Sequence, residues 1–329
     1  VPQGIGNEDL GWERELSYNL GTDISLFDRR LNFTFDIYLK KTTDLVLDAS
    51  RAPSTGTTSA KENIGEMENK GLEFQVDGML VQRNDFYWQV AATGSMNRNR
   101  ILKINSALKK ANEDANKVDS KTPLAQYEEG ESTTALKVVK SAGIDPATGQ
   151  EVFIKLNGER TFEYSADDKF VIGDTEPRFR GTVSTNLFYK GFSLYLLGRY
   201  ECGAYLYNET RATKVEGANP KKNADKRVFD SRWKNPGDIA FYKDIADSDG
   251  WGTNPKHSDR FVEKENVFTL GTVNFGYEFG QNICSKIGVR NLRVGVNLTD
   301  IVRWSNVKIE RGTTYLYSNG FEFTLSTTF

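Results

Sequence analysis

Long apolar runs are missing from this 329-residue chain. No stretch approaches the ~18 consecutive apolar residues of a membrane helix, and the mean hydropathy is -0.55, so a helical membrane protein is excluded. Histidine is nearly absent too: His257 stands alone. With two cysteines, Cys202 and Cys284, far apart in the chain, a tetrahedral zinc site has too few ligands, and no metal or other cofactor is expected. Neither sign of charge dominates, with 43 basic and 45 acidic residues for a net charge of -2. Nucleic-acid binding needs a basic patch, and this balance gives no support to it.

What the chain does have is aromatic residues, 12% of the total, and one-for-one alternation of apolar and polar side chains. Leu31, Phe33, Phe35, Ile37 and Leu39 interleave with Asn32, Thr34, Asp36 and Tyr38. Phe321, Phe323, Leu325, Thr327 and Phe329 interleave with Glu322, Thr324, Ser326 and Thr328. Successive side chains of a strand point to opposite faces, so each such segment has one oily and one wet face.

Nine strands are expected on this pattern, near 16–26, 31–47, 70–81, 86–97, 178–189, 192–202, 266–279, 289–299 and 320–329. The connections after the first, third, fifth and seventh are short. The others are long, at about 48–69, 98–177, 203–263 and 303–319. Within them, 106–118 reads as a short charged helix, and 133–141 with 150–156 as a hairpin around Asp145-Pro146 and Gly149. Sorting loops by length to the two ends of a sheet is the habit of outer-membrane β-barrels, which have short periplasmic turns and long extracellular loops. The expected fold is therefore all-β, an antiparallel transmembrane barrel with its loops outside the cell and Phe329 at the periplasmic end. A soluble β-rich carbohydrate-binding protein is the rival architecture. Bacterial single-chain barrels have an even number of strands, so nine point to the C-terminal part of a larger barrel spanning all of 1–329. The remaining strands would be missing from this sequence. Cys202 and Cys284 fall at opposite ends of the strands and are expected not to bridge.

Few residues invite chemistry. Ser258 and Asp259 adjoin His257 in sequence, which is poor geometry for a triad, so His257 reads as a solvated loop residue and a barrel enzyme is the weaker alternative. Asp244, Asp247, Asp249 and Gly250 form an acidic cluster, but Trp251 occupies the next ligand position of an EF-hand pattern; only a looser loop Ca²⁺ site stays open. Aromatics in the long loops are candidates for cargo contact, above all Trp233 and Trp251, with Phe241 and Tyr242. The competing reading gives loop aromatics to small cores and to the interfacial girdle, the girdle drawing on residues near strand ends such as Tyr200 and Trp304. Glu73, Gln75 and Asp77 project opposite Leu72, Phe74 and Val76, into the lumen if the oily face meets lipid. Phe329, a terminal aromatic on an alternating strand, resembles a barrel-assembly signal.

Several blocks resemble one family. Gly6-Asn7-Glu8-Asp9-Leu10-Gly11-Trp12-Glu13, Asn69-Lys70-Gly71-Leu72-Glu73-Phe74, Gly143-Ile144-Asp145-Pro146-Ala147-Thr148-Gly149, Ile172-Gly173-Asp174-Thr175-Glu176-Pro177-Arg178-Phe179 and Arg232-Trp233-Lys234-Asn235-Pro236-Gly237-Asp238 occur in the order and spacing of SusC/RagA-type TonB-dependent transporters of the Bacteroidota. The resemblance implies a barrel of about 22 strands with a plugged lumen, a plug domain and TonB box preceding residue 1, coupling to the TonB complex, a SusD-like surface lipoprotein as lid, and import of oligosaccharides or peptides.

Overall fold

The computed structural model describes residues 8–50, 59–118, 122–219, 225–245, 255–308 and 318–329. Among the described residues, thirteen strands fall into two sheets. The larger contains β1 (Arg14–Leu26), β2 (Leu31–Ser50), β3 (Ser59–Arg83), β4 (Phe86–Ile104), β9 (Phe179–Tyr189), β10 (Phe192–Tyr207), β11 (Val262–Glu278), β12 (Asn291–Ser305) and β13 (Gly320–Thr328). They pair antiparallel in chain order, which matches the nine strands read from the sequence. The smaller sheet has the order β7 (Arg160–Thr161), β6 (Glu151–Ile154), β5 (Ala135–Ile144) and β8 (Lys169–Asp174). The hairpin expected at 133–156 belongs to this second sheet and does not add to the nine.

Register explains why the large sheet has two faces. Reading straight across from β1 to β12, Ile24, Phe33, Val76, Ala92, Val183, Gly198, Leu270 and Val302 lie side by side. A neighbouring row on the opposite face is polar throughout: Asp23, Thr34, Gln75, Thr93, Thr182, Arg199, Thr269 and Arg303. Side chains on the polar face bond across strands, as in Thr34 to Asp23 at 2.6 Å, Asn32 to Asp77 at 2.8 Å and Thr93 with Thr182 at 2.8 Å. A one-residue slip of any strand would put its oily set on the wet face, so both patterns hold the same register. On the apolar face Tyr200 lies over Gly181, where a Cβ would come 2.0 Å from the Thr93 carbonyl oxygen and 2.5 Å from the tyrosine oxygen. The Tyr200 hydroxyl itself donates to that carbonyl at 2.7 Å.

Tight connections close one end. Lys190 and Gly191 both have positive φ, 47° and 90°, as the favoured two-residue hairpin turn requires. The connection between β11 and β12 winds through α2 (Gln281–Cys284) and a 3-10 turn, and buries Cys284. Cys202 lies on β10, and both thiols are free.

Expected boundaries move at the other end. The loops placed at 48–69, 98–177, 203–263 and 303–319 are all shorter, because β2 runs to Ser50, β3 starts at Ser59, β4 runs to Ile104, β10 to Tyr207 and β12 to Ser305, and β11 starts at Val262. A barrel strand needs only about 9–11 residues to cross a membrane, while β3 has 25. Past that length a strand needs ladder hydrogen bonds but no oily face, so polar residues such as Glu62, Asn63, Glu66 and Glu68 continue it. The charged helix is present as α1 (Ser106–Lys117), its N-terminus capped by the Asn105 side chain, which accepts from Leu108 N–H at 2.9 Å.

The large sheet is open. β1 and β13 are its edges, and every residue of both is exposed.

Candidate functional site

Two surfaces can meet a solute: the polar face of the large sheet and the body built from its long connections. That body takes the second sheet from 98–177 and the segment between β10 and β11, and these are tied together. His257 O accepts from Val139 N–H at 2.9 Å, and Asp259 accepts from Ser141 N–H at 2.9 Å. Pro146 O accepts from both the Trp233 indole N–H, at 2.9 Å, and Gly237 N–H, at 2.8 Å.

At its centre Arg260 is 6% exposed and faces Glu151, 5%, and Glu216, 1%. Its guanidinium makes two bonds to each carboxylate, at 2.6 and 2.7 Å to Glu151 and at 2.8 and 2.9 Å to Glu216, with a fifth to Phe241 O at 2.6 Å. Burial opposes the charge, but Glu216 and Glu151 more than offset it and hold Arg260 above its ordinary pKa. Glu151 comes from β6 and Glu216 from a π-helical turn at Thr210–Glu216, so one side chain joins both long connections. Arg232 is likewise buried, donating to the carbonyls of Val228, Lys243, Val215 and Glu216.

Below this body the polar face carries two concavities. One, about 300 Å³, is lined by Thr34, Asp36, Glu73, Gln75, Ser95 and Arg180. The other, about 360 Å³, combines Arg180, Glu201 and Glu265 of the sheet with Tyr205, Tyr207, Pro123 and Pro177. Aromatic and charged side chains converge there under the loops.

The comparisons with known proteins bear on this arrangement. Residues 2–297 match the family described as TonB dependent receptor-like, beta-barrel. The chain belongs to that family. TonB-dependent receptor P39 of Formosa agariphila is 25% identical over 355 residues, covering 93% of this chain and 33% of its own length. TonB-dependent receptor SusC of Bacteroides thetaiotaomicron is 33% identical over 100 residues, 30% of this chain and 10% of SusC. A solved structure of the RagAB peptide transporter superposes with a TM-score of 0.75 at 22% identity, over 92% of this chain and 33% of that one. The chain thus spans about a third of the relatives it matches over most of its length, and it is a portion of a TonB-dependent receptor-like barrel.

For this receptor barrel the structure redistributes the residues singled out in the sequence. Trp233, 8% exposed, and Tyr242, 7% exposed, are inside the loop body. Tyr242 packs in a cluster with Ala212, Val215 and Phe261, and Phe241 flanks that cluster between the guanidiniums of Arg211 and Arg260. These rings form the loop core, and a cargo-contact role for Trp233 or Tyr242 would need the body to open. Trp251 lies outside the described residues, as do Asp247, Asp249 and Gly250; among the described residues no group of His, Cys, Asp and Glu is placed to hold a metal. His257 is half-buried, edge-on to Tyr207 at 5.6 Å, and lies in an irregular segment. Ser258 is fully buried, so it offers no accessible nucleophile. Trp304 is exposed on the apolar face beside Phe268 at 5.7 Å, a position suited to the girdle. Glu73, Gln75 and Asp77 lie on the polar face opposite Asp36, Thr34 and Asn32. Arg260, Glu151 and Glu216 were not visible in the sequence, because partners 109 and 44 residues away leave no local spacing to recognise.

The hairpin turn tests how tightly this body is fitted. Gly149 has φ +74°, and a Cβ there would approach the Trp233 ring to 2.5 Å. Gly143 also has positive φ, +95°, but nothing lies within 4 Å. Gly143→Ala should therefore cost only the backbone term, about 1–2 kcal/mol, while Gly149→Ala adds displacement of the indole. Limited proteolysis within 225–245 should accelerate severalfold more in Gly149→Ala, with the barrel's heat-modifiable gel mobility unchanged. Equal rates in the two variants would show that the indole does not hold the turn.

Proposed function

We propose that this chain forms the C-terminal wall and outer loops of a TonB-dependent importer of oligosaccharides or peptides in the bacterial outer membrane. The observation that carries the reading is the two-faced sheet with tight turns at one end and a tied loop body at the other. The apolar face meets lipid, the polar face lines the lumen, the loops are extracellular and Phe329 is periplasmic. Cargo is held between the loop body and the concavities beneath it, with Trp251 as a contact. Plug and TonB box would come from sequence preceding residue 1 and couple the barrel to the TonB complex. No resident cofactor or catalytic step is part of this reading.

A SusD-like lipoprotein would close the outer mouth. Phe229 and Ile239 are exposed on the loop body and would be open to such a partner. The direct test is uptake of labelled oligosaccharide and peptide by cells with and without the gene. Uptake that requires the gene and stops when the inner membrane is de-energised is the expected result; gene-independent uptake of both cargo classes would end the proposal.

Phe329 is exposed just beyond β13. Deleting it should lower the outer-membrane level of the protein severalfold without changing cargo affinity of the fraction that inserts, measured on membrane fractions and on purified receptor. Normal insertion would remove its role as an assembly signal.

A further inference from the structure

A cavity of about 360 Å³ lies between the C-terminal end of α1, the 3-10 turn Ala166–Asp168 and residues 255–257. Its polar lining is Asn116, Lys117, Tyr164, Lys169, Lys256 and His257, and among the described residues no carboxylate lines it. Lys117 is paired with Asp114 at 3.2 Å. Lys169 is half-buried and donates to Asn116 Oδ1 at 2.8 Å. Burial, then the neighbouring charge of Lys137, pushes the Lys169 pKa down, against the pull of Asp167. Lys137 itself is buried between Glu128 and Glu131, each 2.6 Å away, so those two carboxylates already serve another cation. Lys256 lies over the Tyr164 ring at 5.6 Å, and Tyr164, its hydroxyl pushed up to about 12 chiefly by burial, stays a donor at neutral pH.

Lys169, partly removed from water, and the exposed Lys256 beside it share a cavity that no carboxylate among the described residues lines, an arrangement that favours an incoming anion. We propose that this cavity is a subsite for an anionic group, a carboxylate or a sulfate, carried on an oligosaccharide cargo, a reading that rests on the import function above. Lys169 and Lys256 supply the charge contacts, and Asn116 and the Tyr164 hydroxyl supply hydrogen bonds. The lining presents side chains from a helix end, a turn, the first residue of β8 and an irregular segment.

The test uses the full-length receptor containing this chain, purified in detergent, with calorimetric titration of a trigalacturonate, a sulfated trisaccharide, a neutral trisaccharide and a glutamate-containing tripeptide. At least one anionic trisaccharide should bind ten times more tightly than the neutral one or better, and Lys169→Gln and Lys256→Gln should each lose at least tenfold of that affinity. Lys169→Arg keeps the charge and should bind as the parent does, which separates lost charge from lost fold. Equal affinity for neutral and anionic glycans, unchanged affinity in both glutamine variants, or binding of the acidic tripeptide alone would overturn the subsite. Uptake by cells is read separately. Binding without gene-dependent uptake removes the import reading and leaves the subsite; uptake unaffected by the two variants, with no anionic preference, does the reverse.

Discussion

Arg260→Met should undock the two long connections from each other while leaving the barrel wall folded. The substitution removes the only cation that both buried carboxylates share in the described structure and leaves Glu151 and Glu216 facing each other in a dry site. Breaking a buried pair by deleting one partner typically costs about 3–5 kcal/mol, because the remaining charge is uncompensated. Here two carboxylates are stranded, together with the Phe241 carbonyl that Arg260 also serves. Amide exchange in β5 and β6 and proteolysis between β10 and β11 should rise by two orders of magnitude or more, whereas exchange in β9 and β10 should be unchanged. The triple variant Arg260→Met, Glu151→Met, Glu216→Met should recover much of the loss, since replacing a whole buried ion cluster by apolar side chains is often neutral or stabilising. Wild-type exchange in the single variant would show that the backbone bonds through Val139, Ser141 and Pro146 hold the body without the ion triplet. The same experiment bears on the proposed function, because a cargo site under the loops would need their positions fixed.

The parts of this molecule that were legible in the sequence are those whose physics is local. Alternation with period two located all nine strands of the wall, because each carries one apolar and one polar face. Where that demand ends, legibility ends: the outer half of β3, through Glu62, Asn63 and Glu66, reads as a polar loop and is a paired strand. Tight turns announced themselves through Lys190-Gly191 and Asp145-Pro146 because their backbone angles restrict residue type. The loop body did not, since its organisation rests on contacts between residues 44 to 118 positions apart. Trp233 illustrates the ambiguity of aromatic residues in long loops. Its surroundings in sequence are polar, which favours exposure, yet its indole N–H is bonded to Pro146 and its ring covers Gly149. A ring in a polar loop can serve cargo or core, and only the partner across space decides which.

Val76→Arg should prevent stable insertion, and the size of its effect measures where the residue sits in the bilayer. Val76 lies on the apolar face between Phe33 of β2 and Ala92 of β4. An arginine on the lipid face of a barrel costs about 2–4 kcal/mol at the midplane and falls to about 0–1 near the interfaces. Neither cross-strand neighbour in this row offers a polar side chain that could take up the guanidinium. Gln75→Arg, one residue away, points to the polar face between Thr34 and Thr93 and should insert at near-parental levels. The pair is read as outer-membrane abundance and as the fraction of heat-modifiable protein, with folding free energies in vesicles giving the magnitude. Loss confined to Val76→Arg fixes the oily face toward lipid and the acidic groove of Asp36 and Glu73 toward the lumen. If Gln75→Arg were the damaging change and Val76→Arg were tolerated, the faces would be reversed, and the cargo path would have to be sought on the other side of the sheet.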